Sequence, residues 1–296
     1  MKRIGFIGLG NMGAGMCASL VKAGHAVAAF DLNAEAVSAA SGKGARAATT
    51  IAEAVRDAEV VVSMLPAGKQ VLEVYFGAGG VAANAPRGSL LVDCSTIAVT
   101  DARQAHARAE AAGLLMVDAP VSGGVAAAEA GTLTFMAGGT EAAFGKAEPI
   151  LRGMGKNIFH AGGAGNGQAA KIANNMLLGI SMIGTCEAFY LAEKLGLDAE
   201  TFFRISSVSS GQCWSMTSYC PAPGPVPASP ANRDYKPGFA VAMMLKDLHL
   251  AAGAATAAGA GIRLGEMAGR IYQDLSDRGF GGLDFSGVMK DLKGAL

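Results

Sequence analysis

Short apolar runs alternate with amphipathic stretches along the first half of the chain. The runs that we interpret as strands cover residues 4–7, 26–30, 60–65, 90–92, 114–117, 133–136 and 157–159. Between them, residues 49–58 and 100–112 have apolar positions at helical spacing, and the first of these stretches opens with a threonine that can cap a helix. Strands that alternate with helices in this way predict a parallel, doubly wound α/β sheet.

The pattern changes after a cluster of closely spaced glycines. Gly162, Gly163, Gly165 and Gly167 follow the last predicted strand, and beyond them the apolar positions recur at helical spacing. We therefore predict an N-terminal α/β domain over residues 1–164 and an all-α C-terminal domain over residues 165–296. A helix over about residues 167–195, about 40 Å long at ~1.5 Å per residue, is expected to join them. Residues 219–237 carry six prolines, which predicts an ordered loop or a lid.

The composition is that of a soluble globular enzyme. Hydrophobic residues make up 51% and charged residues 16% of the chain, and the formal net charge is zero. The sequence contains no cluster of basic residues that could neutralise phosphates, so we expect no nucleic-acid partner. The five cysteines form no CxxC pair, and the four histidines share no metal-ligand spacing with each other or with a cysteine. We therefore expect reduced thiols and no metal site.

We expect a cytoplasmic protein that is not embedded in a membrane. The apolar run at residues 4–9 begins almost at Met1 and meets glycines at once, which leaves no room for a signal peptide. The longest apolar stretch, residues 176–195, is interrupted by Ser181, Thr185 and two glutamates, so we interpret it as a buried helix. That helix is apolar around much of its circumference, which favours a homodimer or a homotetramer.

A glycine motif directly follows the first predicted strand and opens the first predicted helix. Gly8, Gly10 and Gly13 form the spacing GxGxxG. In this context Gly8 allows a tight turn, Gly10 lets the backbone approach a pyrophosphate, and Gly13 allows close packing of a helix whose N-terminal amides can bind the anion. The motif predicts a Rossmann-type dinucleotide-binding domain; the alternative is an ordinary tight turn between a strand and a helix.

Asp31 ends the second predicted strand, about twenty residues beyond the glycines. A carboxylate at this place can accept hydrogen bonds from both hydroxyls of an adenosine ribose, whereas a 2′-phosphate would meet a like charge. Leu32 and Asn33 follow, so no arginine is present there to bind such a phosphate. We therefore expect NAD rather than NADP as the cofactor; the alternative is a solvated aspartate in a turn.

Several segments, distributed over the whole chain, resemble the β-hydroxyacid dehydrogenase family. They are GLGNMG at residues 8–13, MLP at 64–66, CST at 94–96, MVDAPVSGG at 116–124, GQAAKIANN at 167–175, SSGQCWS at 209–215 and KDL at 246–248. The first three resemble the family's cofactor contacts, the fourth its substrate-binding signature and the fifth its catalytic motif. The last two resemble segments that distinguish the hydroxyisobutyrate-oxidising members or close the site. The resemblance implies an NAD-dependent dehydrogenase of a small 3-hydroxy carboxylic acid.

The resemblance also implies roles for individual residues. Lys171 and Asn175 are expected to be catalytic. The residues expected to contact the substrate are Ser122, Gly123, Gly124 and Trp214. The residues expected to contact NAD are Gly8, Leu9, Gly10, Asn11, Met12, Gly13, Asp31, Met64, Leu65, Pro66, Thr96 and Lys246. By the same resemblance, Asp247 helps to hold the helix of Lys246 in place.

Lys171 and Asn175 are four residues apart, so on a helix they project from one face and can converge on one small ligand. Lys171 lies among alanines and an isoleucine, and an ammonium desolvated there is expected to lose its proton more readily than in water, as a general base must. The alternative is a lysine that reaches solvent from a packed helix.

The remaining site residues also have structural alternatives. The Ser122 hydroxyl and the two following glycine amides could grip a carboxylate at the carboxyl edge of the sheet, or they could form a helix cap and a flexible turn. Trp214 could wall a substrate pocket or be a core aromatic residue. Lys246 could close over the nicotinamide or form a surface ion pair with Asp247.

Within the family, we expect oxidation of 3-hydroxyisobutyrate to methylmalonate semialdehyde, a step of valine breakdown. Members that act on tartronate semialdehyde, 3-hydroxypropionate or serine share the same lysine and SGG elements and remain alternatives. A sugar-phosphate dehydrogenase would need several basic side chains at the pocket, and the candidate lining is mostly neutral. A catalytically silent, NAD-binding sensor would lack the motif lysine, whereas Lys171 is present.

Overall fold

The computed structural model describes all 296 residues, and the chain divides into two compact units, Met1–Lys171 and Ile172–Leu296. The strands of the first unit are β1 (Arg3–Ile7), β2 (Ala26–Phe30), β3 (Arg46–Ala47), β4 (Val60–Ser63), β5 (Leu90–Asp93), β6 (Leu115–Asp118), β7 (Val121–Ser122), β8 (Leu133–Gly138) and β9 (Gly155–Gly162). Its helices are α1 (Gly13–Lys22), α2 (Ala34–Gly42), α3 (Ile51–Val55), α4 (Gly68–Phe76), α5 (Val81–Asn84), α6 (Val99–Ala111), α7 (Gly124–Ala130) and α8 (Glu141–Leu151).

All nine strands form one sheet, in the order β3-β2-β1-β4-β5-β6-β8-β7, with β9 paired to β8. The first six strands of this order are parallel, and their sequence is that of a dinucleotide-binding sheet. The strand order reverses between β1 and β4, which is where ligands of such sheets bind, beyond the carboxyl ends of the strands. The predicted α/β class and Rossmann-type sheet are therefore confirmed.

The predicted parallel arrangement holds for these six strands, and the sheet becomes mixed beyond β6. Strand β8 runs antiparallel to both β6 and β7, and β9 runs parallel to β8. An apolar run identifies a strand without showing its direction, because direction depends on how the connecting chain returns. Two strands, β3 and β7, were also missed, since two residues each are too few to show an alternating pattern.

The central strands are buried on both faces because helices cover both sides of the sheet. In β4, Val60 and Val62 pack into one apolar cluster, and Val61 packs into the cluster on the opposite face. Alternate residues of β5 divide between the same two clusters. This burial on both faces explains why the strands are continuous apolar runs in the sequence.

Predicted helix boundaries were only approximate. Helix α3 begins at Ile51 rather than in the predicted stretch from residue 49, because Thr50 is the cap: its hydroxyl accepts the Glu53 amide at 3.1 Å. The Glu53 carboxylate in turn accepts the amide and hydroxyl of Thr49, at 2.8 and 2.9 Å. This reciprocal arrangement is close to a capping box and holds Thr49 outside the helix.

The second unit is helical. Helix α9 (Asn166–Lys194) begins in the first unit, and α10 (Ala199–Ser206), α11 (Trp214–Thr217), α12 (Val241–Ala258), α13 (Arg263–Leu275) and α14 (Val288–Leu292) follow. Short 3-10 or π turns lie at Pro230–Arg233, Ser276–Phe280 and Phe285–Gly287. The core contains Met182, Tyr272 and Phe285, all at most 1% exposed. The predicted all-α C-terminal region is confirmed, and its division from the first domain at residues 164/165 remains our proposal.

Helix α9 is 29 residues long and close to the predicted helix over residues 167–195. It is the one helix long and apolar enough to cross a membrane, a test that the core helices of soluble proteins also pass. Leu177 and Leu191 on this helix are 62% and 59% exposed, so part of its apolar surface is uncovered within one chain.

Two hydrogen bonds within the proline-rich segment and one ion pair to a residue outside it stabilise residues 219–237. The Tyr235 hydroxyl donates to the Pro221 carbonyl at 2.7 Å, and the Asn232 amide group donates to the Val226 carbonyl at 2.8 Å. Lys290 forms an ion pair at 3.0 Å with Asp234, which lies within the segment. With these contacts the segment forms an ordered loop, one of the two forms expected for residues 219–237.

Two phenylalanines on adjacent strands test the description of the core. Phe135 of β8 is fully buried, and Phe159 of β9 is 59% exposed. We expect Phe135→Ala to lower the free energy of unfolding by about 3–5 kcal/mol, because it leaves a cavity, and Phe159→Ala to change it by about 0.5 kcal/mol or less. Urea unfolding followed by far-UV circular dichroism measures both. Equal losses would contradict the core as described.

Candidate functional site

The glycine motif forms the turn between β1 and α1. Gly8 has φ of +94°, and a Cβ there would collide with the Met64 carbonyl. A Cβ on Gly13 would collide with the Gly8 carbonyl, whereas no atom lies within 4 Å of the Cβ position of Gly10. Gly8 and Gly13 thus allow close backbone packing, and Gly10 leaves open space. No side chain caps the start of α1 at Met12, so this helix end suits an anion.

Asp31 connects the end of β2 to the glycine turn. Its Oδ2 accepts the Leu9 amide at 2.6 Å, and its Oδ1 accepts the Asn33 amide at 2.8 Å. A cavity of about 470 Å³ lies here, and it is lined by Leu9, Gly10, Asn11, Ala14, Asp31, Asn33, Ala36, Val125 and Glu129. The open space at Gly10, the uncapped helix end and a carboxylate at the strand end fit the pyrophosphate and adenosine ribose of NAD.

The cavity lining includes two residues that sequence reasoning missed, Val125 and Glu129 of α7. Helices α1 and α7 pack so closely that a Cβ on Gly15 would lie 2.9 Å from backbone atoms of Ala128 and Glu129. No local pattern signals this approach, because α7 follows α1 by about a hundred residues. Glu129 adds a second carboxylate to a cavity that contains no basic side chain.

Residues 64–66, which are predicted to contact the cofactor, follow β4. A hydrogen bond to a residue that follows β5 holds them in place. The Leu65 amide donates to the Ser95 hydroxyl at 2.8 Å, and that hydroxyl donates to Asp93 Oδ1 at 2.6 Å. The neighbouring Thr96 is half-buried in the loop that follows β5. The ends of β4 and β5 therefore place Met64–Pro66 and Thr96 along one edge of the sheet, and their contacts with a cofactor remain a prediction.

Asp93 is a fully buried carboxyl group that sequence reasoning missed. Its Oδ1 accepts the hydroxyls of Ser63 at 2.7 Å and Ser95 at 2.6 Å, while its Oδ2 has no hydrogen-bond partner. The Tyr75 hydroxyl lies 2.7 Å from that of Ser63 and extends the network. Burial raises the pKa of Asp93 to about 6, against the opposing effect of these hydrogen bonds, and nearby Asp118 raises it further.

The segment with the predicted substrate-carboxylate contacts lies between β7 and α7. Ser122 pairs with Thr134 of β8, and its side chain is partly exposed. Gly123 and Gly124 have φ of +132° and +70°, and no side chain caps α7 at Gly123. A partly exposed hydroxyl next to two glycine amides is compatible with carboxylate binding, and the predicted roles stay proposals.

Lys171 and Asn175 lie one turn apart on α9 and are 7% and 2% exposed. The Asn175 side chain donates from Nδ2 to Asp247 Oδ2 at 2.6 Å, and its Oδ1 accepts from Asn174 at 3.0 Å. Low exposure contradicts the alternative of a lysine that reaches solvent. Sequence reasoning assigned Asp247 to its own helix and missed this bond to Asn175.

Lys246 and Asp247 begin the KDL segment on α12. The Lys246 ammonium lies 3.5 Å from Asp247 Oδ1, a buried oxygen without a hydrogen bond. Since the Asp247 side chain is only 3% exposed, this is not the surface ion pair considered as an alternative. The second unit thus brings Asn175, Lys246 and Asp247 together.

Trp214 contacts a different set of residues from Lys246 and Asp247. Its side chain is 50% exposed, so the alternative of a core aromatic residue was wrong. The indole ring stacks on Tyr219, with centroids 5.0 Å apart, and the Tyr219 hydroxyl donates to Asp284 Oδ2 at 2.8 Å. Asp284 is fully buried and also accepts the amides of Gly238 and Phe239. This support for Trp214 could not be read from the sequence, because Asp284 lies 70 residues further along the chain.

Family models match most of the chain. Residues 3–163 match the model of the NAD-binding domain of 6-phosphogluconate dehydrogenase. Residues 165–292 match the model described as the NAD-binding domain of NADP-dependent 3-hydroxyisobutyrate dehydrogenase. The two matches cover the Rossmann-type sheet and the helical region in turn.

Relatives that match over almost their whole length are also named as dehydrogenases. A probable 3-hydroxyisobutyrate dehydrogenase of Mycobacterium tuberculosis is 49% identical over 99% of this chain and 98% of its own. An NAD-dependent L-serine dehydrogenase of Pseudomonas aeruginosa is 48% identical over 98% of this chain and 97% of its own. The solved structure of the M. tuberculosis 3-hydroxyisobutyrate dehydrogenase with L-serine has a TM-score of 0.95 and 49% identity, and covers 99% of both chains.

The buried Asp93 predicts a pH-dependent stability. Because its pKa is higher in the folded chain than the ordinary 3.8, the folded state binds a proton that the unfolded state releases between about pH 4 and pH 6. The advantage in unfolding free energy of the wild type over Asp93→Asn should therefore fall as pH rises through this range, by at most about 3 kcal/mol, and stay constant above it. Urea unfolding at pH 4, 5, 6 and 7.5 measures the difference.

Ser89→Ala is the control for Asp93→Asn. Ser89 is 4% exposed and donates to the Ala58 carbonyl at 2.8 Å, but it does not titrate in this range. The Ser89→Ala substitution should therefore change the free energy of unfolding by the same amount at every pH. A difference between the wild type and Asp93→Asn that does not vary with pH would show that the pKa of Asp93 is the same in the folded and the unfolded chain.

Proposed function

Because this chain belongs to the 3-hydroxyisobutyrate dehydrogenase family, we propose that it oxidises 3-hydroxyisobutyrate to methylmalonate semialdehyde with NAD. The observation that carries the proposal is the buried Lys171 at the start of α9, with Asn175 held one turn further along by Asp247. A lysine and an amide that share one face of a helix can act on one small hydroxyl group.

Lys171 is the proposed general base. The neutral amine at Nζ takes the proton of the substrate hydroxyl, and the resulting ammonium stabilises negative charge that develops on that oxygen. Limited exposure supports this role, since a side chain that is 7% exposed is kept from bulk water. Bound NAD would supply the acceptor for the hydride that leaves the carbinol carbon.

Asn175 is proposed to orient Lys171 or the substrate oxygen. Its Nδ2 is committed to Asp247, which fixes the rotamer of the amide. Ser122 and the amides of Gly123 and Gly124 are proposed to bind the substrate carboxylate. Trp214 as a substrate contact and Lys246 as a cofactor contact remain proposals that rest on the motif resemblance.

The preference for NAD over NADP rests on the charge of the cofactor cavity. Asp31 and Glu129 both line it, and no lysine or arginine does. A 2′-phosphate there would be repelled by like charges and would have no basic partner. The Asp31 oxygens already accept two amides, and each carboxylate oxygen has a further lone pair for a ribose hydroxyl.

L-Serine dehydrogenase is a second candidate function, favoured by a specific observation. A relative from P. aeruginosa that is 48% identical carries that name, and the M. tuberculosis structure holds L-serine. L-Serine is itself a 3-hydroxy acid, so the same base and carboxylate contacts would serve both substrates.

We further propose a cytoplasmic homodimer or homotetramer. Uncovered apolar side chains on α9 and α13 support assembly, among them Leu177, Leu191 and Leu264 at 62%, 59% and 68% exposure. Sedimentation equilibrium counts the chains, and a monomer at micromolar concentration would contradict the proposal.

A substrate panel tests the proposed activity. Formation of NADH, followed at 340 nm, should give the highest kcat/KM for 3-hydroxyisobutyrate among 3-hydroxyisobutyrate, L-serine, 3-hydroxypropionate and glycerate. NAD should exceed NADP at least about tenfold in kcat/KM, which corresponds to ~1.4 kcal/mol of charge repulsion. Lactate, a 2-hydroxy acid, is the negative control. A higher value for L-serine would favour the second candidate, and no activity with any 3-hydroxy acid would refute both.

Replacing the proposed base tests the mechanism. We expect Lys171→Ala to lower kcat at least about 100-fold, the low end for general acid-base catalysis, while the Kd for NADH changes less than about threefold. Lys194→Ala is the matched control, because Lys194 is an exposed lysine in the last turn of the same helix. Near wild-type turnover in Lys171→Ala would remove the residue from this role.

A further inference from the structure

Helix α9 begins without a capping side chain of its own. The residue before its first turn is Gly165, which cannot supply the side-chain oxygen that usually accepts an amide of the first turn. The Asp118 carboxylate, at the end of β6, takes this place. Its Oδ1 accepts the Gly165 amide at 2.9 Å, and its Oδ2 accepts the Gln168 amide at 3.0 Å.

Asp118 is well suited to hold a helix start. It is fully buried, so water does not compete for its oxygens, and a negative charge at a helix N-terminus is favourable. His106 of α6 lies with Nε2 2.8 Å from Oδ1 and fixes the carboxylate from the other side. Each bond to an ionised acceptor is roughly twice as strong as one between neutral groups.

Gln168 provides a second anchor from the helix itself. Its side chain is fully buried, its Oε1 accepts the Ile97 amide at 3.0 Å, and its Nε2 donates to the Ser95 carbonyl at 2.7 Å. Both contacts are on the loop that carries Thr96 after β5. The first turn of α9 is thus bound to the ends of two neighbouring strands, and Asp93 and Asp118 are register partners there.

Lys171 is three residues beyond Gln168, so the anchored turn leads directly into it. A shift or rotation of that turn moves the Cα of Lys171 by a similar amount, because a helix is stiff over one turn. An error of about 1 Å in the position of a reacting group can cost a rate on the order of 100-fold.

We propose that Asp118 and Gln168 are positioning residues for Lys171: together they fix where α9 starts and hence where the reacting amine lies. The inference rests on the proposed function only in assigning the proton transfer to Lys171. The anchoring itself can be measured without any substrate.

Asp118→Asn tests the proposal with little change of shape. An asparagine keeps one acceptor oxygen but turns an NH₂ group toward the second amide, so one of the two backbone bonds is lost. We expect kcat to fall about 10- to 100-fold, with the Kd for NADH changed less than about threefold. The primary deuterium isotope effect on kcat/KM, measured with substrate deuterated at the carbinol carbon, should rise because the chemical step becomes slower.

Hydrogen exchange of the free protein supplies a readout without catalysis. In Asp118→Asn the amides of Gly165 and Gln168 should exchange at least about tenfold faster, while those in the middle of α9 are unchanged. Ser89→Ala, a buried hydrogen-bond deletion before β5, is the control and should change neither kcat nor these amides. If Asp118→Asn does not fold, Gln168→Met, which removes only the side-chain anchor, should show the same fall in kcat and rise in isotope effect.

The proposal is overturned if the amides lose protection and kcat stays at the wild-type value, or if kcat falls without loss of protection. An unchanged isotope effect together with a lower melting temperature would show a structural role alone. A wild-type enzyme inactive on the whole substrate panel would refute the proposed function, whereas the exchange result would still decide whether Asp118 anchors α9.

Discussion

A buried carboxylate on two backbone amides determines where the longest helix of this protein begins. Asp118 leaves the sheet at the end of β6 and caps α9, whose own residue at that position, Gly165, has no side chain to do so. Helix α9 then carries Lys171 and Asn175 in its next two turns. The sheet thus sets the register of α9 through a tertiary contact, since nothing local to the helix start supplies a cap.

Asp93 and Asp118 occupy paired positions on β5 and β6, yet their environments differ. Asp118 uses both oxygens, for two amides and an imidazole. Asp93 uses one oxygen for hydroxyls and leaves the other without a partner, so burial dominates and its pKa rises to about 6. One carboxylate holds a helix, and the other holds the loop after β4 through Ser95 and Leu65, at a cost in stability near neutral pH.

The second unit uses buried carboxylates in a similar way. Asp247 fixes the amide of Asn175, and Asp284 joins the Tyr219 hydroxyl to two backbone amides beside the proline-rich segment. In each case one short acidic side chain orders groups from distant parts of the chain. Neutral partners alone would form weaker bonds to the same donors.

The sequence by itself determined the α/β class, most of the strands, the glycine turn with Asp31, and the pair Lys171 and Asn175. These features depend on periodicity, on backbone conformations that need glycine, or on residues four apart on one helix, all of which are local. Only the tertiary structure decided the antiparallel direction of β8, the presence of Glu129 in the cavity beside Asp31, and the hydrogen-bonding roles of Asp93, Asp118 and Asp284. The physical reason is that a buried acid is defined by the donors that the fold brings to it, and these donors come from residues distant in the sequence.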